Sequence, residues 1–388
     1  MTDADQVLRE VLEKIAAEHG YSTRDVDPQP FSTDGANYTS QLYRITLKEP
    51  NKDDLFLFAK VASVSEHVRE ITPFKIFETE MFFYTELLQR FIELEQKFNV
   101  PKKHRLATVK FYGSNDEYMK EILVLEDLSA QGYETHDRFK TFDWKYAAKS
   151  VTELAKFHAL SIAYDKSNPD DFAVLAENFC FLKGKEESLK LMMEGIVKTA
   201  MGIVNEENRG RLQAFLEKNQ EREFDYYLKP HKRAVLAHGD FRASNLMHRL
   251  REDGELEVVV VDYQMLKVSN PIMDLMYFIF SGTDEDFHDK YYHKLLNHYY
   301  TELCAAMRRL NVDPEITYPK DDYESDLKEL QAYGVFVGMM MVPMVTVDPE
   351  DAPSMDIEDI KDFKIKINDV SIRRMNGVFN TFIKLGLL

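Results

Sequence analysis

Two cysteines in 388 residues, Cys180 and Cys304, leave no scope for a disulfide framework, and their separation matches no metal-ligand spacing. A reducing compartment suits such a chain. Positive charge is scarce as well: 49 Lys and Arg against 67 Asp and Glu give a formal net charge of −18. Nucleic acid or an anionic membrane as main partner would demand a basic footprint instead. No window approaches the roughly 18 consecutive apolar residues of a membrane span. Asp3 and Asp5 stand where a signal peptide would be basic, and no apolar segment follows, so a cytoplasmic location is expected. Glycine and proline number only 15 and 13, too few for a collagen-like or low-complexity chain.

What is present is ordinary soluble-protein composition, 44% hydrophobic and 30% charged, at a length beyond which a single core usually stops growing. Two lobes are therefore expected. Val7, Leu8, Val11, Leu12 and Ile15 recur at helical spacing and stop before Gly20, which predicts an opening amphipathic helix. Tyr38 to Leu47 and Leu55 to Ala62 read as strands joined by a turn at Glu49-Pro50-Asn51. Phe77, Met81, Tyr84, Leu88 and Phe91 mark a long helix, and further strands are expected at Leu106 to Tyr112 and Tyr118 to Leu125. From Trp144 onward the pattern is helical, broken by a hairpin around Asp253-Gly254 with arms Asn245 to Leu250 and Glu257 to Asp262. The whole predicts an α+β enzyme: a β-rich N-terminal lobe over residues 1–128 and a mostly helical lobe over 129–388, joined near Leu125 to Gln131.

The chemistry concentrates in His238-Gly239-Asp240-Phe241-Arg242-Ala243-Ser244-Asn245 and in Asp262, which follows the run Val258 to Val261. Asp240 can accept or orient a hydroxyl proton. Asn245 offers a neutral amide oxygen to Mg²⁺, and Asp262 a second, anionic metal ligand. Singly, each has a plainer explanation, such as a turn-capping aspartate; jointly they supply three groups that metal-assisted phosphoryl transfer requires. His238 reads as architecture, because such transfer needs positioning more than a second base.

The loop, with its His-Gly-Asp followed four residues later by Asn and then by a strand ending in Asp, resembles the catalytic core of protein-kinase-like small-molecule kinases, the choline kinase and aminoglycoside phosphotransferase group. Within that group the chain is most similar to the ecdysteroid kinase-like family. Asn37 to Arg44, Ala59-Lys60-Val61, Phe77 to Tyr84, Leu123 to Leu128 and Asp274 to Phe278 carry the likeness in family order, over roughly residues 30 to 285.

The resemblance implies ATP and Mg²⁺ as cofactors. Strand alternation alone would leave Lys60 an outward-facing lysine; the likeness makes it a phosphate ligand held by Glu80. Gly35, Asn37, Tyr38, Thr39 and Ser40 become a phosphate cover, although one glycine makes a weak signal by itself. Leu125, Glu126, Asp127 and Leu128 become the adenine-facing hinge. Asp274 either braces the catalytic loop or simply complements the dipole of the helix it opens. No His-Arg-Asp or Asp-Phe-Gly motif occurs, and Tyr263 to Pro271 is too short to dock a peptide, so no protein substrate is expected. The acceptor expected is a small hydroxylated molecule, steroid-like by the likeness, with a choline- or aminoglycoside-type kinase or a ligand-sequestering pseudokinase as alternatives. Tyr333, Phe336, Met339, Met340, Met341 and Met344 could line an apolar acceptor pocket, although such a stripe is more often plain core.

Overall fold

The structure is a computed structural model that describes residues 3–22, 26–31, 40–71, 75–179, 186–219, 226–227, 233–351 and 365–388. α1 (Asp3–Glu18) buries Leu8, Leu12 and Ile15 and is closed by Gly20, whose φ of +68° favours a residue without Cβ. β1 (Gln29–Phe31), β2 (Ser40–Leu47) and β3 (Leu55–Ala62) follow, then α2 (Glu66–Ile71). α3 (Ile76–Phe82) and α4 (Leu88–Lys97) are one continuous helix with a π-helical turn, Phe83–Leu87, between them. With β4 (Phe111–Asn115) and β5 (Ile122–Glu126), the first strands form an antiparallel sheet in the order β1-β2-β3-β5-β4.

Two expected strands are shorter than their hydrophobic patterns. The amides of Leu106 and Ala107 donate to the buried carboxylates of Glu95 (2.7 Å) and Glu153 (3.4 Å), so side chains take the place of a strand ladder there. Before β5, the Lys120 amide closes a turn on Glu117 O, and Met119 is left-handed at φ +67°.

β6 (Glu134–Thr135) leads into the helical part: α5 (Trp144–Ser167), α6 (Pro169–Asn178), α7 (Glu186–Ile203) and α8 (Glu206–Lys218). β7 (Val235–Ala237) precedes the hairpin β8 (Leu246–Leu250) and β9 (Leu256–Val260), and β10 (Lys267–Ser269) pairs back onto β7. The hairpin arms are trimmed relative to expectation, since Asn245 lies in a 3₁₀ turn and Asp262 lies beyond the strand. α9 (Pro271–Gly282), α10 (Glu285–Arg309), α11 (Pro314–Thr317), α12 (Lys320–Leu330), α13 (Tyr333–Thr346) and α14 (Asp369–Lys384) complete the described chain. The α+β class is thus as the sequence indicates.

The core has two parts. α1 covers one face of the sheet, where Ile45, Leu57, Ala59, Val61, Ile122 and Val124 lie against it. The opposite face carries Phe58 and Lys60, whose cross-strand partners on β5 are Leu125 and Leu123. These two leucines belong to the second, larger core, which also takes in α5, α9, α13 and α14. Every residue of α9 is buried, and Asn270 caps its first turn through the Ile272 amide.

His288 on α10 ties that helix to its neighbours, with Nε2 2.9 Å from Thr283 Oγ1 and Nδ1 2.8 Å from Thr381 Oγ1. The two hydroxyls also donate to Ile279 O and Gly377 O, and the neutral ring donates to one of the hydroxyls. Burial pushes its pKa down to about 4. The unfolded chain therefore takes up a proton near pH 6.5 that the folded chain refuses, so stability falls as pH drops from 6.5 towards 4, by about 3 kcal/mol at the lower limit. Urea titrations of the protein and of His288→Gln at pH 7 and pH 4.5 should show a smaller acid loss in the variant; equal losses would remove His288 from this role.

Candidate active site

The geometry begins at β3. Leu57, Ala59 and Val61 are buried under α1, which leaves Lys60 on the other face, directed between the sheet and the helical part. Its ammonium lies 2.9 Å from both carboxylate oxygens of Glu80 on α3 and 2.5 Å from Asp262 Oδ1. Burial opposes the lysine charge, but Asp262 and then Glu80 more than offset it and hold the ammonium above the usual lysine range. Burial also pushes the Glu80 carboxyl up to about 7. Asp262 is driven the other way: burial opposes its ionisation, yet Lys60, with Arg242 behind it, holds it below the usual carboxylate range. Asp262 is thus the firmly ionised member of the pair around Lys60.

Asp262 adopts φ +69° and ψ +61°, a left-handed conformation that costs a residue with a Cβ about 1 to 2 kcal/mol. Its surroundings impose it. The Val261 amide donates to Asn245 O at 3.0 Å, and His238 Nε2 lies 3.1 Å from Val261 O. One residue further, Tyr263 stacks on Phe83 at 3.5 Å between centroids and donates its amide to Glu80. Phe83 opens the π-helical turn, so the irregular turn of the long helix sits where that helix meets the Asp262 segment.

The loop after β7 is pinned by one carboxylate. Asp274 Oδ2 accepts from the His238 amide (2.7 Å) and stands 3.1 Å from His158 Nε2, while Oδ1 accepts from the Gly239 amide (2.9 Å). Of its two sequence readings, the structure shows the loop brace. Burial would raise the Asp274 pKa, but the hydrogen bond and charge of His158 hold it below the usual range. Gly239 has φ +79°, and a Cβ there would lie 2.0 Å from Met265 O, so only glycine fits. His238 is scaffold in the structure too: the Asp240 amide donates to its Nδ1 at 3.3 Å, so its proton is on Nε2, facing Val261 O.

Asp240 is held by three side chains. Asn245 Nδ2 donates to Asp240 Oδ2 and to its main-chain oxygen, both at 2.8 Å. Arg242 Nε lies 2.9 and 3.1 Å from the two carboxylate oxygens, and Tyr277 OH donates to Oδ1 at 2.7 Å. With both amide hydrogens engaged, Asn245 keeps its Oδ1, which has only the Ser244 hydroxyl at 3.4 Å.

Asp240, Asn245, Asp262, Lys60 and Glu80 are therefore connected directly or through one main-chain link. Arg242 and Tyr277 were not singled out from the sequence. Arg242 lies inside the loop motif itself, and Tyr277 falls one helical turn after Asp274 on the same face, which is the signal that could have found it. Of the phosphate-cover residues, Gly35, Asn37, Tyr38 and Thr39 lie outside the described residues; Ser40 opens β2 opposite Ala62. In the hinge segment, the Asp127 amide donates to Phe56 O (3.1 Å) and its carboxylate caps Ser129 N (2.9 Å), so its described contacts are structural. Glu126 accepts from Gln131 at 2.7 Å, and Leu125 and Leu128 are buried. Tyr333, Phe336, Met339 and Met341 are core residues with at most 7% exposure, which favours the plain-core reading for these four, whereas Met340 and Met344 are partly buried and Met344 lines a small cavity beside Arg242. Met341 nonetheless reaches the site, with its sulfur 3.0 Å from Tyr277 OH.

A lysine held between two carboxylates and, in the same network, a carboxylate restrained by three side chains are groups that phosphoryl transfer can use. Only β10 and a short turn separate Asp262 from α9, and a site of this kind in an α+β fold belongs, with the family match, to the small-molecule kinases. Residues 34–312 match the model of the ecdysteroid kinase-like family, and the chain belongs to that family.

Among solved structures, the chain is similar to a Plasmodium vivax ethanolamine kinase at 10% identity and a TM-score of 0.44, over 94% of this chain and 84% of that one. It is also similar to an aminoglycoside phosphotransferase from Streptomyces rimosus, solved with ADP and streptomycin, at 14% identity and a TM-score of 0.36, over 80% and 97%. A glucosamine kinase solved with glucosamine, ADP and inorganic phosphate matches at 14% identity and a TM-score of 0.35, over 84% and 80%. No residue role rests on these likenesses. No curated protein matches the chain.

Asp274→Ala should cost about 3 to 5 kcal/mol, because it leaves two loop amides and His158 buried without their acceptor. Denaturant unfolding checks it; a loss below about 1 kcal/mol would mean the loop does not depend on this brace.

Proposed function

We propose that the protein transfers the γ-phosphoryl group of ATP to a hydroxyl of a small molecule. The observation that carries this reading is the Lys60 ammonium shared between Glu80 and Asp262, a lysine placed by its neighbours to meet phosphate charge. Asp240 accepts the acceptor's hydroxyl proton as its oxygen bonds to the γ-phosphorus; the bond to the β-γ bridging oxygen breaks, and ADP leaves with that electron pair. Asn245, Arg242 and Tyr277 keep the carboxylate in one orientation, so its position is set before the acceptor arrives.

Asn245 Oδ1 and the Asp262 carboxylate are hard oxygen donors, and phosphate oxygens would complete the shell of a small divalent cation between them. Among the described residues no group of three or more His, Cys, Asp or Glu side chains forms a metal cage, so Mg²⁺ would be held jointly with nucleotide. Bound there, Mg²⁺ would neutralise charge developing on the phosphates. Ser40 and the hinge from Leu125 to Leu128 remain the proposed nucleotide contacts, together with Gly35, Asn37, Tyr38 and Thr39. Among acceptors, the family's description favours an ecdysteroid, with an ecdysteroid 22-kinase as its most specific form, or a related hydroxylated lipid or toxin.

Incubation with Mg-ATP and a panel of hydroxylated steroids, cholines and glycosides, followed by mass spectrometry, should reveal a phosphorylated product. Asp240→Asn should lower that turnover by about 10² to 10⁴-fold while Mg-ADP still binds; full activity would remove Asp240 as base. Asp262→Asn should weaken Mg-dependent nucleotide binding by calorimetry, and unchanged affinity would count against it as metal ligand. Nucleotide binding without product from any acceptor would instead favour a ligand-sequestering protein.

A further inference from the structure

Arg242 lies in the loop between Asp240, proposed to meet the acceptor, and Asn245, proposed to meet the metal. Its backbone is extended at φ −137° and ψ 170°, and its carbonyl accepts from the Asn245 amide at 2.9 Å. The turn that carries Asn245 therefore holds Arg242 as well. Among the described residues, its side-chain hydrogen bonds are those of Nε to the two Asp240 carboxylate oxygens, at 2.9 and 3.1 Å. That grip uses only the Nε donor, and the two terminal nitrogens of the planar fork remain for the oxygens of a ligand.

Two carboxylates feel this cation. Burial opposes its charge, but Asp240, followed by Tyr277 and Asp262, more than offsets that and holds the guanidinium above the usual arginine range. Asp262 in turn is held low against its own burial, by Lys60 first and by Arg242 after it. The guanidinium is thus bonded to the proposed base and within electrostatic reach of the proposed metal ligand. Its side chain is 15% exposed, and those of Lys60, Asp240 and Asp262 are 16, 9 and 17% exposed, whereas His158 and Asp274, which brace the loop, are at 0 and 1%. A ligand can touch the first four, and the last two are scaffold.

In the resting site the guanidinium compensates the Asp240 carboxylate. When the acceptor hydroxyl gives its proton to Asp240, that carboxylate becomes neutral, and the arginine loses its counter-charge while the phosphoryl group is between ADP and the acceptor oxygen. We infer that Arg242 is a catalytic residue that then neutralises the transferring phosphoryl group, its terminal nitrogens donating to the non-bridging oxygens while Nε stays on Asp240. The inference rests on the kinase reading above and adds a residue to its chemistry. The bonds balance as before: the acceptor oxygen bonds to the γ-phosphorus, the β-γ bridging bond breaks with its electron pair leaving on ADP, and the proton ends on Asp240. Arg242 exchanges no proton. Because its charge is freed only during transfer, it binds the transition state more tightly than the ground state, which is the condition for lowering the barrier.

The test uses fluoroaluminate, a small planar anion that stands in for the phosphoryl group in flight. With the full chain, calorimetry should show Mg-ADP bound about 10²-fold more tightly when fluoroaluminate is present. Arg242→Gln should remove that gain and leave the affinity for Mg-ADP alone largely unchanged. Arg242→Lys, a point charge in place of the fork, should keep part of it. Asp240→Asn removes the base but not the cation, so it should keep the gain; a residue that only positions Asp240 would give Arg242→Gln and Asp240→Asn the same loss. Circular dichroism melts verify that the variants fold, and Arg242→Lys carries the comparison if the glutamine variant does not. No gain in the unmodified protein with Mg-ADP bound, a gain that survives Arg242→Gln, or one lost equally in Asp240→Asn would each overturn the inference. Failure of the kinase reading looks different: Mg-ADP itself would not bind, or no acceptor in the broader panel would be phosphorylated.

Discussion

One partly buried ammonium holds the site together. Lys60 cannot remain charged between the sheet and the helical part without compensation, and it obtains that from Glu80 on the long helix and Asp262 beyond β9. Those two carboxylates are supplied by different elements, so satisfying one charge fixes the relative placement of β3, α3 and the Asp262 turn. The left-handed backbone at Asp262 and the π-helical turn at Phe83 are local departures from regular geometry at that junction. The main-chain bonds around Val261 and the stacking of Tyr263 on Phe83 hold that junction in place.

The second half of the site is built on a different principle, in which a carboxylate collects donors instead of a cation collecting carboxylates. Asp274 fixes the loop backbone, and three side chains fix Asp240. Because Asp274 and Tyr277 both project from α9, a helix buried along its whole length positions the proposed base. Met341 extends that support to α13, so a residue that is core by exposure still reaches the machinery.

Much of this was legible in the residues. The opening helix, β2, β3 and the hairpin showed in their hydrophobic periods, and Asp240, Asn245 and Asp262 in their spacing. Lys60 is the instructive case. Alternation correctly put it on the face opposite Leu57, Ala59 and Val61, but one sequence could not say whether that face met solvent or a second core. Leu106 to Lys110 failed for a related reason: an apolar run looks like a strand until distant carboxylates, Glu95 and Glu153, take its amides.

The sequence by itself determined the α+β class, the His238 to Asn245 loop with its Asp and Asn, and the family likeness, because these depend on residues near one another in the chain or on local periodicity. Tertiary structure alone decided that Asp274 braces the loop and that Arg242 and Tyr277 restrain Asp240. Each of those facts depends on which buried donor finds which acceptor across long separations. Only packing of the whole chain settles such pairings, since no local pattern records them.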